Sequence, residues 1–417
     1  MHVVRSFVSL TPSHSTLLTY GLIMFLISTG DAILSYAVPV FLEETLSNPF
    51  WMGIILSTSS VVGLLADLFI GEWCKEKGYS FFLCWMFVMA AAFPLSLLFL
   101  PAVVPVFILA MAFWGVYYEL IQFANYHFVH TFLTRHQHAS AWGILSLFFS
   151  FAYFLGPILA GRYLDDSLKT PFIVAILILT CGLLSFMLFL HRYHEKGTYQ
   201  QRRPMRKNIF TELQVWTVLF RPLWPLWFFH LTLNLVDATF WSIGTVFSEQ
   251  LRSTHPFGEF FFVAYMLPAL VVGFFVGKLA QPFGKKRIAF LAGLGCGFFL
   301  FFAGLTTHVP LLLLFVFLSS ICSALASPEL SATFEDYVSR LGNLGNELVG
   351  LNQTASSIAY IIGPVLAGGI AVLLGFQKTF TIMGALLVLT SLLSILATPR
   401  KIHLPQKNLQ EISSTKG

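Results

Sequence analysis

Charged side chains are scarce in this chain. Asp, Glu, Lys and Arg make up 10% of its 417 residues, whereas a soluble domain carries about 25%. Hydrophobic residues make up 57%, and the mean hydropathy is +0.78. This composition excludes an ordinary soluble protein and predicts a protein embedded in a lipid bilayer. The net charge of +5 is small, and the basic residues lie between apolar segments, which indicates membrane orientation and not nucleic-acid binding.

Cysteines and enzyme motifs are also few. The five cysteines lack metal-site spacing, so we interpret them as small buried residues. The sequence has no Gly-x-Ser-x-Gly, no phosphate-binding loop and no paired-histidine metalloprotease motif. We therefore predict no enzyme activity, no cofactor and no metal site. One histidine cluster is interpreted as a weakly basic interfacial loop, with metal ligation as the alternative; it comprises His127, His130, His136 and His138.

Long apolar runs dominate what remains. A membrane-spanning helix needs about 20 apolar residues, and twelve stretches meet that requirement. They are residues 17–42, 51–71, 81–100, 103–133, 139–163, 171–191, 222–248, 258–280, 287–306, 309–338, 349–374 and 378–398. The predicted fold class is an all-α integral membrane protein with twelve transmembrane helices.

The longest polar break divides these segments six and six. Residues 192–221 contain seven Lys or Arg residues, and their 209–219 stretch is consistent with a short interfacial amphipathic helix. We predict an N-terminal bundle over 1–191, a basic linker over 192–221, a C-terminal bundle over 222–398 and a tail over 399–417. With the N-terminus inside, 20 of the 24 basic residues fall on the cytoplasmic side, so both termini and the linker are expected there.

A ten-residue segment occurs twice in the chain. Residues 152–161 (AYFLGPILAG) and 359–368 (AYIIGPVLAG) are identical at seven positions and lie 207 residues apart. Because the period is half the chain, the sequence predicts two similar halves. In a hydrophobic protein, two parallel halves indicate a transporter with its site between them.

Four acidic residues inside apolar segments follow the same repeat. Asp31 and Asp237 are 206 residues apart and each precedes an alanine; Glu119 and Glu329 are 210 apart and each precedes a leucine. Charged residues are costly within a membrane and are candidates for function by default. A carboxyl in a low-dielectric cavity can bind a proton or an organic cation, and competition between the two can couple their movements. The alternative is that each acid holds neighbouring helices together by hydrogen bonds.

Polar residues at helical spacing accompany these acids. We expect them to face a shared, partly wet cavity in which aromatic rings meet a cation. The candidate cavity residues are Asp31, Glu119, Asp237, Glu329, Gln122, Asn125, Tyr126, Asn234, Trp241, Tyr153 and Tyr360. His230 is interpreted as a packed polar residue, and Glu335 and Asp336 as structural or gating residues near the cytoplasmic end of their segment.

The repeated segment also carries a Gly-Pro pair in each copy. Gly156 and Pro157 correspond to Gly363 and Pro364. Small residues allow helices to approach closely, and proline bends a helix. Bent, closely packed helices at the seam between two halves favour a rocking motion, with static packing as the alternative.

Together these features resemble the major facilitator superfamily (MFS) of secondary transporters. The family's loop motif, Gly-x-x-x-Asp with later Gly and basic residues, is similar to Gly63–Asp67 and to Gly277–Arg287, where Gln281 replaces the acid. The resemblance implies that Asp67, Gly63, Gly277, Gln281 and Gly284 gate the cytoplasmic side. The Gly156-Pro157 segment resembles the family's antiporter motif. The arginine that many proton-coupled exporters of the family carry in helix 4 is absent, since Met111 stands near that position.

The resulting expectation is a secondary transporter that works by alternating access. We expect proton-linked efflux of a cationic or amphipathic small molecule by a monomer in the plasma membrane, with a bacterial inner membrane favoured. Its partners would be that substrate, protons and the lipid bilayer, without nucleic acid. The alternatives are proton-driven uptake of a metabolite such as a sugar or amino compound, and a membrane receptor that does not transport.

Overall fold

The structure of the protein is a computed structural model that describes residues 12–74, 77–134, 137–192, 209–272, 284–341 and 345–399. Within these ranges every regular element is a helix. The first half has six helices: α1 (Pro12–Leu46), α2 (Pro49–Trp73), α3 (Tyr79–Phe99), α4 (Val104–Phe132), α5 (His138–Leu164) and α6 (Thr170–Arg192).

The second half has helices α7 (Ile209–Thr239), α8 (Thr245–Thr254), α9 (Phe260–Val272), α10 (Lys285–Ala303), α11 (Val309–Leu341), α12 (Gly345–Leu374) and α13 (Phe376–Ala397). Ten helices of the described chain are long and apolar enough to cross a membrane. The predicted segment 222–248 lies within α7, α8 and the turn between them. The predicted segment 258–280 contains α9 and continues into residues outside the described ranges.

The contacts divide the chain into two compact units. Unit 1 comprises residues 1–45 and 58–202, and unit 2 comprises residues 46–57 and 203–417. The first turns of α2 are therefore counted with unit 2. They contact α12 closely, because a Cβ at Gly53 would overlap the carbonyl group of Pro364. The bundle, linker and tail boundaries drawn from the sequence remain predictions.

The short helix expected over 209–219 is not a separate element. Those residues form the first turns of α7, which continues without a break through Pro222 and Pro225 to Thr239. Proline lacks only its own amide hydrogen, so a long helix packed on its neighbours can absorb one at the cost of a bend. Residues 209–221, which the sequence assigns to the linker, are therefore helical in the structure.

A π-helical turn separates α7 from α8. It spans Phe240–Gly244 and begins three residues after Asp237. Such single turns are rare and occur mostly at functional sites. The corresponding helix of the first half, α1, is an α-helix over its whole length. Phe240 stacks on Tyr265 of α9 with the ring centroids 3.7 Å apart.

Gly284 sets the start of α10. Its φ of 84° lies in the left-handed region, which costs an L-residue with a side chain roughly 1–2 kcal/mol. Gly284→Ala is expected to destabilise the protein by about 1 kcal/mol, although no atom of the described residues lies within 4 Å of the added Cβ. Thermal unfolding of the purified variant measures this. The matched control is Gly143→Ala inside α5, where a Cβ likewise meets no atom of the described residues within 4 Å. An equal loss there would contradict a conformational origin.

Candidate functional site

Asp31 is the centre of a hydrogen-bonded cluster in the first half. Its Oδ1 accepts a hydrogen bond from Trp114 Nε1 at 2.9 Å. Its Oδ2 accepts from Tyr118 Oη at 3.1 Å and from Tyr153 Oη at 2.5 Å. The residue is only 3% exposed. Three aromatic donors from α4 and α5 therefore hold this carboxyl of α1 and replace the water that it would otherwise need.

Asp237 has a related environment in the second half. Its two carboxyl oxygens accept hydrogen bonds from the hydroxyls of Tyr265 on α9 and Tyr360 on α12. Asp237 is half-buried and has one donor fewer than Asp31. Tyr360 is the repeat equivalent of Tyr153, so the same acid–tyrosine pair occurs once in each half.

Each acid–tyrosine pair lies next to a close crossing of the two helices that carry it. Gly156 follows Tyr153 by three residues, and a Cβ on it would overlap the Cβ of Ala32, the neighbour of Asp31. In the second half a Cβ on Gly363 would lie 2.8 Å from the Cβ of Ala238, the neighbour of Asp237. Each glycine thus lets the tyrosine-bearing helix approach the acid-bearing helix.

We call this arrangement, Asp-Ala on one helix and Tyr-x-x-Gly on the other, the acid–tyrosine module. It consists of Asp31, Ala32, Tyr153 and Gly156 in the first half and of Asp237, Ala238, Tyr360 and Gly363 in the second. The repeat in the sequence relates the members of one half to those of the other, but only the structure shows that the acid and the tyrosine are in contact.

Comparison with known proteins assigns the family. The sequence model of the Major Facilitator Superfamily matches residues 20–257 and again residues 226–416. The chain belongs to the Major Facilitator Superfamily. It is therefore an integral membrane transporter with an all-α MFS fold, as the sequence predicted.

Individual relatives in this superfamily are distant. Multidrug resistance protein 2 of Bacillus subtilis (strain 168) is 23% identical over 375 residues, which cover 88% of this chain and 90% of that protein. The solved structure of the nucleoside transporter NupG has a TM-score of 0.74 at 11% identity, with 92% and 100% of the two chains covered. A bacterial homologue of the human lysosomal transporter Spinster has a TM-score of 0.72 at 12% identity, covering 94% and 98%. At these identities the two structures establish the fold alone.

Glu119 lies beside the superfamily loop motif and not in the Asp31 cluster. A Cβ on Gly63 of α2 would lie 3.3 Å from Glu119 Oε1, and the charge of Asp67 acts on the same carboxyl. The backbones of α2 and α4 are in close contact here, since a Cβ on Gly115 would lie 2.9 Å from the Gly63 amide nitrogen. The helical spacing of polar residues predicted a polar face of α4. In the structure Tyr118 contacts Asp31 of α1, whereas Glu119 lies against Gly63 of α2.

Glu329 has a smaller exposed fraction than Glu119, its counterpart in the other half. It is 4% exposed, and its Oε2 is buried without a hydrogen-bond partner. Two turns further along α11, Asp336 accepts hydrogen bonds from Lys285 Nζ at 2.9 Å on both carboxyl oxygens. This ion pair is exposed. Asp336 thus links α11 to the start of α10, and the structural or gating role expected of it stays a prediction.

The other predicted cavity residues have varied surroundings. Asn125 is buried and accepts a hydrogen bond from Tyr20 at 2.9 Å. Gln122 and Tyr126 are exposed, and Tyr126 contacts the ring of Trp142. Asn234 donates to the carbonyl of His230 within its own helix. Trp241 lies in the π turn and packs edge-on against Phe262. Their part in a substrate cavity remains a prediction.

The predicted gating residues are only partly described. Asp67 is exposed at the end of the α2 span, and Gly63 is buried against α4. Pro157 and Pro364 are buried inside α5 and α12, and Pro364 contacts the start of α2. Gly277, Gln281 and His136 lie outside the described residues. Among the described residues no group of three or more His, Cys, Asp or Glu side chains could hold a metal ion.

Sequence reasoning missed three of the five aromatic donors. Trp114 and Tyr118 lie four residues apart and so on one face of α4, and Tyr265 lies in α9. A polar-tipped aromatic pair at this spacing in an apolar segment is the signal that would have revealed the first two. Tyr265 stands alone among apolar residues, and nothing in its sequence distinguishes it from a packing residue.

Proposed function

We propose that the protein is a proton-coupled exporter of cationic or amphipathic small molecules that works by alternating access. The observation that carries the proposal is the duplication of the acid–tyrosine module. Each half places one carboxyl, ringed by aromatic side chains, within a membrane-embedded helix bundle. Buried acids are expensive in a membrane, and packing alone gives no reason to place one at the matched position of each half.

The chemistry of the module suits a positively charged ligand. The carboxyl supplies negative charge, and the rings of Trp114, Tyr118 and Tyr153 supply the electron-rich faces that attract organic cations. The name of the Bacillus subtilis relative, a multidrug resistance protein, agrees with export of such compounds. No cationic side chain contacts either carboxyl among the described residues, so an anionic substrate has no evident partner there.

The geometry also suggests how binding moves the helices. A charged carboxyl strengthens the hydrogen bonds from its tyrosines, and a bound proton or cation weakens them. Tyr153 joins α5 to α1 next to the Gly156–Ala32 contact, and Tyr360 joins α12 to α7 next to the Gly363–Ala238 contact. Loss of charge therefore loosens a tight helix crossing in each half. A ligand that interacts differently with the two arrangements shifts the population between them.

Transport by the purified protein in proteoliposomes tests the proposal. Tetraphenylphosphonium, uridine and a neutral dipeptide are each presented with and without an imposed pH gradient, while the internal pH is recorded. We expect proton-linked flux of tetraphenylphosphonium, reduced at least about tenfold by Asp31→Asn or Asp237→Asn because the charged form is lost. The matched control is Asp166→Asn in the exposed loop after α5, which should leave flux unchanged.

The other outcomes separate the alternatives. Proton-linked flux of uridine or the dipeptide alone would replace the proposal with metabolite uptake. Binding of tetraphenylphosphonium without any flux would favour a receptor. Flux that survives both Asn variants would exclude the two aspartates from coupling.

A further inference from the structure

The two acid–tyrosine modules differ in how completely the carboxyl is enclosed. Asp31 is 3% exposed and accepts three hydrogen bonds, two of them from Trp114 and Tyr118 on α4. Asp237 is half-buried and accepts two, from tyrosines of α9 and α12 and none from α11, the helix that the repeat relates to α4. The second carboxyl therefore keeps a side that a ligand can reach, and the first does not.

Small residues on α11 account for this difference. At the offsets of 206 and 210 residues that relate the acids of the two halves, the counterparts of Trp114 and Tyr118 fall within residues 320–328. That stretch reads SICSALASP and has no aromatic side chain. Ala324, which is partly exposed, is the counterpart of Tyr118 at the first offset and of Trp114 at the second. Thus α11 lacks the indole and phenol groups that close the first site.

This stretch of α11 lies beside the second acid–tyrosine module. Ser320 is buried, and its hydroxyl donates to the backbone carbonyl of Tyr265. The side-chain hydroxyl of Tyr265 in turn donates to Asp237. Ala324 follows Ser320 by one turn and so lies on the same face of α11. A methyl group at position 324 therefore leaves space near Asp237 where the first half has a ring.

The second half carries its large ring on the acid-bearing helix instead. Trp241 follows Asp237 by four residues. In the first half the position four residues after Asp31 is Ser35. The Trp241 ring is partly exposed and packs edge-on against Phe262 of α9. Because residues four apart share a helix face, this ring supplies an electron-rich surface on the side of the carboxyl, as an organic cation requires.

We propose that the cationic substrate docks at Asp237, in the space beside Ala324 and against the ring of Trp241, whereas Asp31 is a closed site that holds α1, α4 and α5 together. The inference rests on the proposed function for the charge of the substrate, but the access to each acid does not depend on transport. The two modules then have different tasks. Neutralising Asp31 lowers flux through the helix crossing, and neutralising Asp237 lowers it through binding.

Binding of tetraphenylphosphonium to the purified protein in lipid nanodiscs compares the two acids. Isothermal titration calorimetry gives the dissociation constant without any transport. Asp237→Asn should weaken binding at least about tenfold, because it removes one partner of a close charge pair. Asp31→Asn should weaken binding less than about threefold. Equal losses, or a larger loss for Asp31→Asn, would overturn the proposal.

A bulky residue at position 324 tests where the cation docks. Ala324→Trp gives the second half a ring on α11 like that of α4 and should weaken tetraphenylphosphonium binding at least about tenfold, because the ring fills the space that the cation needs. The matched control is Leu314→Trp, at an exposed position of the same helix, which should leave binding unchanged. Melting temperatures show whether both variants are folded. Wild-type affinity in folded Ala324→Trp would contradict the location.

Cysteine labelling measures access to each acid without a substrate, even if Ala324→Trp does not fold. Ala324→Cys places a thiol beside Asp237, and Ser35→Cys places one a turn away from Asp31, where the side chain is buried. A methanethiosulfonate reagent with a quaternary ammonium group should modify Ala324→Cys at least about tenfold faster than Ser35→Cys, because thiol reactivity follows exposure. The wild-type protein gives the background of its five cysteines. Equal rates would overturn the difference in access.

Protection connects this access to the substrate and separates the inference from the proposed function. Tetraphenylphosphonium should slow the labelling of Ala324→Cys, and labelling that it leaves unchanged would overturn docking at this place. Proton-linked flux of tetraphenylphosphonium without such protection would leave the proposed function intact and refute the inference. If the wild-type protein neither binds nor transports this cation, the proposed function fails, while the labelling rates still decide whether the second acid is the accessible one.

Discussion

Asp31→Ala is expected to destabilise the protein by about 3–5 kcal/mol, because three hydrogen bonds to the carboxyl are lost and each hydrogen bond to a charged group contributes about 1.5–3 kcal/mol. The substitution removes the acceptor that Trp114 Nε1 and the hydroxyls of Tyr118 and Tyr153 share in a site that is 3% exposed. The apparent melting temperature of the purified protein, followed by intrinsic fluorescence, measures the loss.

Two further variants identify the cause of that loss. Asp31→Asn keeps one acceptor oxygen of the same shape and should lose less than half as much stability as Asp31→Ala. Tyr153→Phe removes one donor, so the double variant with Asp31→Ala should be more stable than the sum of the single effects predicts. Additive effects would mean that the Asp31–Tyr153 hydrogen bond contributes nothing, whatever its length in the structure.

Asp237→Ala provides the comparison between the two halves. It removes the acceptor of two donors instead of three, at a half-buried position that water can enter more easily. We therefore expect a smaller loss than for Asp31→Ala. A larger loss of stability for Asp237→Ala than for Asp31→Ala would contradict the expectation that the loss increases with burial and with the number of donors.

The sequence predicted the fold class and both acids of the acid–tyrosine module for one physical reason. A membrane makes apolar length and buried charge unusually informative, since every span needs about 20 apolar residues and every charge within it has a cost. The repeat then related Asp31 to Asp237 and Tyr153 to Tyr360. Both tyrosines were expected near the cavity, but as aromatic faces and not as hydrogen-bond donors to the acids.

The pairing itself could not be predicted from one sequence. Asp31 and Tyr153 are 122 residues apart, and helical periodicity defines the face of a helix without naming the helix that it meets. Glu119 illustrates the limit, because its stripe was identified and yet its carboxyl lies against Gly63 of α2. The π turn after Asp237 was missed for a similar reason, since its five residues have the composition of an ordinary apolar helix.

Gly156→Ala should break the helix crossing that supports the first acid–tyrosine module. The new Cβ would overlap the Cβ of Ala32 and lie 2.8 Å from its carbonyl carbon and 3.0 Å from the Ile33 amide nitrogen. Backbone atoms cannot move aside unless the whole helix moves. Overpacking of this kind costs about 1–3 kcal/mol and occasionally more, and we expect a loss near the upper end, about 3 kcal/mol.

Gly143→Ala is the matched control on the same helix. Among the residues that the structure describes, no atom lies within 4 Å of a Cβ at Gly143, and alanine is a better helix former than glycine by about 0.8–1 kcal/mol. The control should therefore raise the melting temperature, whereas Gly156→Ala should lower it. The same substitution in one helix thus has opposite signs, and a loss at both positions would remove helix packing as the explanation.

Two partner variants locate the overlap. Ala32→Gly removes the nearest contact of Gly156→Ala but leaves the backbone contacts, so the double variant should recover part of the lost stability. The close contacts of Gly363→Ala are with side chains, the nearest being the Cβ of Ala238 at 2.8 Å, and the nearest backbone atom is the Leu235 carbonyl oxygen at 4.0 Å. This variant should therefore cost less than Gly156→Ala. Because the crossing holds Tyr153 against Asp31, Gly156→Ala should also lower transport more than Gly363→Ala. Equal transport by the two variants would show that stability alone, and not the position of Tyr153, depends on Gly156.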